Sequence, residues 1–292
     1  MQKALFLYNT AAGRGRIARS VAEIVRIFAD NGWELAPEPI DFGRNPFDAH
    51  PDIRRVVVAG GDGTVNYVVN RMRERGLSLE LGILPAGTAN DFAGIVGMSK
   101  DPLAAARQIA GGEVQALDCG VVNGLHFVNI FSFGIFTTTS QRTPDERKHR
   151  LGKLAYIIEG IKELRSMHAV PLHVHTECEE FDFRALMALV FNGETAGGFR
   201  LAGTSSVRDG LFDCLLLEKR NFFVSCFAMV RYLCGGHPRS VKHLRAATLR
   251  ITSPVDEPTD VDGQRGARFP LDIRCLPGLL HVVCPRKPAG SE

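Results

Sequence analysis

Short β-branched and aliphatic runs alternate with amphipathic stretches along the N-terminal part of the chain. Lys3–Asn9, Trp33–Ile40, Arg55–Ala59 and Leu81–Leu84 read as strands, while Arg16–Asn31, Thr64–Arg75, Asn90–Val96 and Pro102–Gly111 read as helices. This order implies a doubly wound parallel sheet covered on both faces, because a parallel crossover needs a helix to carry the chain back. After about Glu113 the texture changes to short β-like runs: Val114–Val122, His126–Ser132, Val170–Thr176, Phe181–Phe191, Leu211–Leu217, Ala247–Thr252, Arg268–Cys275 and Leu279–Val283. Two helical stretches interrupt them, Gly152–Met167 and Phe222–Cys234. The expectation is an α/β protein: an N-terminal doubly wound α/β domain (1–113), a mostly antiparallel β-sandwich domain (114–285) and a short tail (286–292). A cleft between two such domains would take a second substrate.

Ligands of an open parallel sheet sit at the carboxyl ends of its strands, and two glycine-rich turns fall there. Val58-Ala59-Gly60-Gly61-Asp62-Gly63-Thr64-Val65-Asn66 and Gly82-Ile83-Leu84-Pro85-Ala86-Gly87-Thr88-Ala89-Asn90-Asp91-Phe92-Ala93 each pass from a strand into a helix. Without Cβ atoms the backbone can approach a phosphate, successive N–H groups point inward, and the positive end of the following helix adds field. Asp62 is a poor phosphate ligand and a good Mg²⁺ partner. The plain alternative, glycines that only turn the chain, explains either turn alone but not both together. No G-x-x-x-x-G-K-[ST] sequence supplies a P-loop lysine. Arg14 and Arg16 are candidates for outer phosphates, or else solvated residues at a helix start. Gly13-x-Gly15-x-x-Ala18 with Asp41 superficially fits a dinucleotide fingerprint, but it leaves the later turns unexplained.

Composition narrows the class. The 292-residue chain is 45% hydrophobic and 23% charged, enough for a sizeable core and two domains. Its formal charge of +3, with no aromatic-basic repeat, argues against nucleic acid as a partner. No stretch approaches the roughly 18 apolar residues of a spanning helix, and Met1 to Tyr8 reads as a strand, not a signal peptide. The seven cysteines (Cys119, Cys178, Cys214, Cys226, Cys234, Cys275, Cys284) never fall in C-x-x-C spacing, which suits reduced, mostly buried thiols in a cytoplasmic protein. The nine histidines show no metal-ligand spacing, and His173 and His175 share a strand face without visible partners.

Phosphoryl transfer to an alcohol needs Mg²⁺–ATP, an in-line acceptor hydroxyl and a carboxylate to take its proton. Asp262, in Thr259-Asp260-Val261-Asp262-Gly263-Gln264, is the candidate base. Its alternative is a turn residue between strands.

Six segments in order resemble the diacylglycerol kinase catalytic family, and more narrowly its soluble bacterial lipid kinase members. They are Asn9-Thr10-Ala11-Ala12-Gly13, Gly60-Gly61-Asp62-Gly63-Thr64, Pro85-Ala86-Gly87-Thr88-Ala89-Asn90-Asp91-Phe92-Ala93, Leu151-Gly152-Lys153-Leu154-Ala155-Tyr156, Arg208-Asp209-Gly210-Leu211-Phe212-Asp213 and Asp262-Gly263. The resemblance implies that the first domain binds ATP through Asn9, Thr10, Ala11, Ala12, Gly13, Gly61, Asp62, Gly63, Thr64, Val65, Asn66, Tyr67 and Thr88. It also implies a Mg²⁺ that shapes the fold, held by the Asp209 side chain and the carbonyls of Ser206 and Leu211. Catalytic roles fall to Asp62 and Asp262. The chain departs from the family pattern twice. Gln264 stands where Asp-Gly-Glu has its glutamate, and an amide cannot take a proton near neutral pH; Tyr67 stands where relatives usually carry glutamate after Gly-Thr-x-Asn.

The implied function is an ATP-dependent lipid kinase with a diacylglycerol-like acceptor. Two alternatives stay open: an NAD kinase, which shares the Gly-Gly-Asp-Gly core, and a nucleotide- or lipid-binding protein that has lost catalysis. The stretch Arg142 to His168, basic and then apolar at helical spacing, could rest on an anionic bilayer or be a packed surface helix. Phe222, Phe223, Phe227, Met229 and Val230 could line an acyl pocket, with core packing as the default. The oligomeric state stays open, a homodimer included.

Overall fold

The computed structural model describes residues 1–134, 168–196, 199–200, 205–233 and 235–286. Two compact units form, one from Met1–Cys119 with Pro277–Glu292 and the other from Gly120–Leu276. The first contains β1 (Gln2–Tyr8), α1 (Arg16–Asp30), β2 (Trp33–Pro39), β3 (Arg55–Gly60), α2 (Asp62–Glu74), β4 (Glu80–Pro85), α3 (Asp91–Ile95) and α4 (Pro102–Gly111), and β5 (Glu113–Val122) leads out of it.

Strands β2, β1, β3 and β4 lie side by side in that order, all parallel. Val56, Val57 and Val58 are wholly buried, as a strand covered on both faces requires. Helix α1 packs with α4, and α2 with α3. Ile17, Ile24, Ile27 and Phe28 form the buried stripe of α1; Val65, Val68, Val69 and Met72 form that of α2. Helix α4 starts where the sequence places it, because Asp101 accepts the Ala104 N–H at 2.8 Å and Pro102 fits the first turn. Helix α2 starts two residues earlier than expected, at Asp62. Asp62 and Gly63 are thereby part of a helix N-terminus rather than of the turn before it.

The second unit is built from β6 (Leu125–Phe127), β7 (Ile130–Phe133), β8 (Val170–Thr176), β9 (Glu180–Phe191), β10 (Thr195–Ala196), β11 (Phe199–Arg200), β12 (Phe212–Glu218), α5 (Phe222–Leu233), β13 (Val241–Ala246), β14 (Thr248–Thr252), β15 (Thr259–Val261), β16 (Gln264–Arg265) and the start of β17 (Leu271–Cys284). Its strands pair antiparallel in the order β16-β15-β7-β9-β8-β14-β17, with β12 between β9 and β13. Phe127, Phe131, Phe133, Phe212, Val174, Ile251 and Ile273 fill one face; Leu189, Phe191, Leu215 and Leu217 pack under α5 on the other. His173 has partners after all, Asp182 at 2.9 Å and Glu180 at 2.9 Å on the neighbouring strand. His175 lies 3.5 Å from Glu180.

Strand β17 runs unbroken through Pro277-Gly278, where the sequence suggests two strands. Gly278 absorbs the irregularity with φ +63°, and its N–H donates to Asp118 Oδ1 at 2.9 Å. The first half of β17 pairs with β14; later, His281 and Val282 pair in parallel with Glu80 and Leu81 of β4. The chain's end therefore returns to the first unit. Its units divide after Cys119 and after Leu276, not once after Glu113. The expected helix Gly152–Met167 lies outside the described residues, as does the basic-apolar stretch up to residue 167. Among the described residues no helix is long and apolar enough to cross a membrane.

Candidate functional site

Three loops of the first unit meet at the carboxyl ends of β1, β3 and β4. The Ala86 N–H donates to Gly60 O at 2.9 Å, tying the loop after β4 to the end of β3. Gly61 and Gly87 then touch through bare backbone. A Cβ on Gly87 would lie 2.4 Å from Gly61 Cα, and one on Gly61 would lie 3.1 Å from Gly87 Cα. Gly60 is constrained as well, since a Cβ there would sit 2.4 Å from Thr64 Cβ. The loop after β1 rests on the same place: Gly13, at φ +58°, has its Cβ position 3.7 Å from Ala86 O.

Side chains lock each loop. Asn9 Oδ1 accepts the Ala11 N–H at 3.0 Å, a turn that the short amide favours. Gly15, at φ 74°, opens α1, and Arg16 is exposed at its start. In the second turn, Asn90 Oδ1 accepts the Gly87 N–H at 2.7 Å while its Nδ2 donates to Gly87 O at 2.8 Å. Gly87, Thr88 and Ala89 are exposed at the tip. The thirteen-residue α2 opens at Asp62, beside the Gly61–Gly87 contact, and brings the positive end of its dipole there.

Asp62 joins the two turns. Its Oδ1 accepts the Phe92 N–H at 3.1 Å, at the opening of α3. Burial pushes its carboxyl above the usual range and the charge of Asp91 adds to this, while the Phe92 N–H works against it. Asp91 is itself buried and went unnoticed as a site residue, although it stands in the second glycine-rich segment. A buried carboxyl beside a second acid suits a hard dication with oxygen ligands, and Mg²⁺ fits this donor set.

Three of the residues expected at the nucleotide are engaged within the unit. Val65 is buried in the core, and Asn66 is buried with its Oδ1 accepting Asn70 Nδ2 at 3.1 Å. Tyr67 is engaged elsewhere: its hydroxyl donates to Arg44 O at 2.8 Å, and its ring meets Phe42 edge-on. Val65, Asn66 and Tyr67 are the fourth to sixth residues of α2, past its opening at Asp62.

In the second unit Asp262 sits at φ +48° in the tight turn between β15 and β16. Its Oδ2 accepts the Val128 N–H at 2.7 Å, and its Oδ1 accepts those of Asn129 at 3.0 Å and Ile130 at 2.8 Å. These bonds split the expected strand His126–Ser132 into β6 and β7. They also engage both oxygens of the residue expected as the base.

The neighbouring Asp260 has the reverse character. It is 4% exposed, its Oδ1 accepts the Gly263 N–H at 2.7 Å, and its Oδ2 has no hydrogen-bond partner among the described residues. Burial pushes its carboxyl up to about 7, with help from the charge of Asp262 and against the Gly263 N–H. A poised acid of this kind is a functional-site signal invisible in a Thr-Asp-Val-Asp string. Gln264 is exposed.

The expected metal loop does not fit a dication. Asp209 Oδ1 accepts the Leu211 N–H at 3.1 Å, and its Oδ2 is ion-paired with Arg245. A guanidinium already neutralises the one carboxylate offered, while Ser206 is exposed and Leu211 half-buried nearby. Among the described residues no group of three or more His, Cys, Asp or Glu could hold a metal ion.

Comparison with known proteins identifies the family of both parts of the chain. Residues 3–122 match the family described as diacylglycerol kinase catalytic domain, and residues 129–284 match the YegS C-terminal NAD kinase beta sandwich-like domain. The chain is 30% identical over 298 residues to a diacylglycerol kinase of Bacillus subtilis (strain 168), covering 99% of this chain and 98% of that one. It is 28% identical over 299 residues to a diacylglycerol kinase of Staphylococcus saprophyticus, covering 100% and 98%. A crystal structure of a diacylglycerol kinase from Bacillus anthracis superposes with a TM-score of 0.81 over 99% of this chain and 98% of that one; at 22% identity this likeness speaks for the fold alone. The chain thus belongs to the diacylglycerol kinase family, with that family's catalytic domain followed by a β-sandwich domain.

Proposed function

We propose that this protein transfers the γ-phosphoryl group of Mg²⁺–ATP to the hydroxyl of a diacylglycerol-like lipid. The observation that carries this is the backbone contact of Gly61 with Gly87 at the opening of α2, which joins the two turns through bare backbone. Bound Mg²⁺–ATP would supply the phosphoryl group and a dication to offset its charge.

The chain's own residues do the rest. Backbone groups of Gly61, Gly63 and Thr88 and the loop Asn9–Gly13 hold phosphate oxygens, Asn90 fixes the Gly87 peptide, and Asp62 with Asp91 holds positive charge against them. Positioned dipoles of this kind supply most of the acceleration in such chemistry. The acceptor's oxygen bonds to the γ-phosphorus as the bond from that phosphorus to the ADP oxygen breaks and ADP leaves, and we assign the acceptor's proton to Asp260 Oδ2. Asp262 acts by shaping the hairpin that carries Asp260.

Radiolabelled ATP offered with Mg²⁺ and a panel of lipids tests this reading. Label in a diacylglycerol-like lipid is expected. Binding of Mg²⁺–ATP without transfer to any lipid would contradict it and favour a protein that binds nucleotide without catalysis.

A further inference from the structure

Helix α5 turns one face to its own unit and leaves the other bare. Ser225 and Ala228 are buried, and Phe222, Cys226, Met229 and Tyr232 pack toward Leu189, Phe191 and Leu215. On the opposite side Phe223 is 81% exposed, Phe227 66%, Val230 45% and Val224 42%. Positions 223, 227 and 230 fall on one helical stripe. Core packing, the default for Phe222, Phe223, Phe227, Met229 and Val230, therefore holds for Phe222 and Met229 but not for Phe223, Phe227 and Val230. Isolated exposed apolar residues are ordinary, but a contiguous stripe with two phenylalanines marks a contact surface.

Charge along this stretch of the sequence has one sign. Between Glu218 and Asp256 the sequence contains no Asp or Glu, while Lys219, Arg220, Arg231, Arg239, Lys242, Arg245 and Arg250 fall in that interval. Several of these are paired from outside it: Arg220 with Glu218 at 2.8 Å, Lys242 with Glu179 at 2.7 Å, and Arg245 with Asp209. Lys219, Arg231 and Arg239 are exposed cations just before, on and just after the helix.

We propose that the outer face of α5 seats on an anionic lipid bilayer, with Phe223, Phe227 and Val230 in the headgroup–acyl boundary and Lys219, Arg231 and Arg239 among the phosphates. An apolar stripe with a cationic fringe, on a helix that carries no carboxylate of its own, is the pattern of an interfacial helix. A second copy fits less well, because a two-fold contact would set this cationic fringe against itself. The choice of a bilayer over another apolar, anionic partner rests on the lipid-kinase reading.

The test is co-sedimentation of the full chain with vesicles of phosphatidylcholine alone and of phosphatidylcholine with phosphatidylglycerol. The expected result is tighter binding to the anionic vesicles, reduced about tenfold or more by Phe223→Ser with Phe227→Ser. Leu125→Ser, at another exposed apolar position, leaves it unchanged, and Arg231→Glu weakens binding to the anionic vesicles only. The proposal is overturned if the wild-type chain ignores both vesicles or if the double variant binds as wild type. It is also overturned if the double variant instead dissociates a dimer seen by sedimentation equilibrium. Parallel transfer assays on a dispersed short-chain diacylglycerol keep the two readings apart: vesicle binding without transfer sinks the kinase reading, and transfer without vesicle binding sinks this one.

Discussion

Gly61 and Gly87 face each other across the two turns with no room for a methyl group between them, since a Cβ on Gly87 would stand 2.4 Å from Gly61 Cα. Their contact aligns the opening of α2 with the exposed Gly87–Thr88 tip. Gly87→Ala forces the loops apart, and overpacking of this kind costs about 1–3 kcal/mol. Calorimetric titration should show Mg²⁺–ATP affinity falling about tenfold or more while the unfolding transition stays cooperative. Unchanged affinity would mean the turns do not act together.

Asp62 bridges the turns through the Phe92 N–H, yet burial and Asp91 hold its carboxyl above the usual range. A raised carboxylate works against the folded state as pH climbs through its folded pKa. Asp62→Asn should therefore lose phosphoryl transfer about a hundredfold or more while melting no lower than wild type at pH 8. Near-wild-type turnover in the variant would remove Asp62 from the mechanism.

The first unit was legible in the sequence because its physics is local. Val56–Val58 is a strand buried on both faces and reads as an aliphatic run, while Asp101-Pro102 announces its helix. What was hidden depends on residues far apart in sequence. The carboxylate of Asp262 divides β6 from β7, at a place where the run His126–Ser132 carries no break of its own. Strand β13 (Val241–Ala246) was missed because Lys242, His243 and Arg245 mask its alternation, and it forms by pairing with β12. Pro277-Gly278 lies between two expected strands, yet β17 runs through it with the Gly278 N–H held by Asp118. At the site, glycine spacing revealed the loops, whereas neither the acidity of Asp260 nor the engagement of Asp209 by Arg245 leaves a local trace.

Asp260 and Asp262 should separate cleanly under substitution. With a folded value near 7 against 3.8 unfolded, Asp260 costs the folded state on the order of 4 kcal/mol above neutral pH, and none of this below both values. Asp260→Asn should raise the melting temperature at pH 8, with the gain shrinking toward pH 4. It should also lower transfer about a hundredfold and remove the acidic limb of the pH–rate profile. Gln264→Glu should change that profile little. A rate profile unaltered in Asp260→Asn would exclude it as the proton acceptor.

Asp262→Asn places an amide against the three N–H donors of Val128, Asn129 and Ile130, at a cost of about 3 kcal/mol. Urea unfolding should show the loss at neutral pH. A midpoint within error of wild type would show that these bonds contribute nothing.

Asp213 is wholly buried and accepts the Ser205 hydroxyl at 2.6 Å, with His243 Nε2 at 2.6 Å. Burial alone would raise its carboxyl; His243, Ser205 and Arg245 outweigh that and hold it below the usual range. The stability it contributes is present above the unfolded carboxylate pKa and is lost as pH falls through the depressed folded value. His243→Ala should destabilise by about 3 kcal/mol at pH 7 and flatten the acid limb of the stability profile. An unchanged acid limb would show that His243 does not hold this charge.

The most direct measurement is a crystal structure of the chain with Mg²⁺ and a non-hydrolysable ATP analogue. The account predicts phosphate oxygens within hydrogen-bonding distance of backbone N–H groups at Gly61–Gly63 and at Thr88, with the cation beside Asp62. An analogue bound away from both turns, at concentrations that saturate the protein in solution, would contradict it.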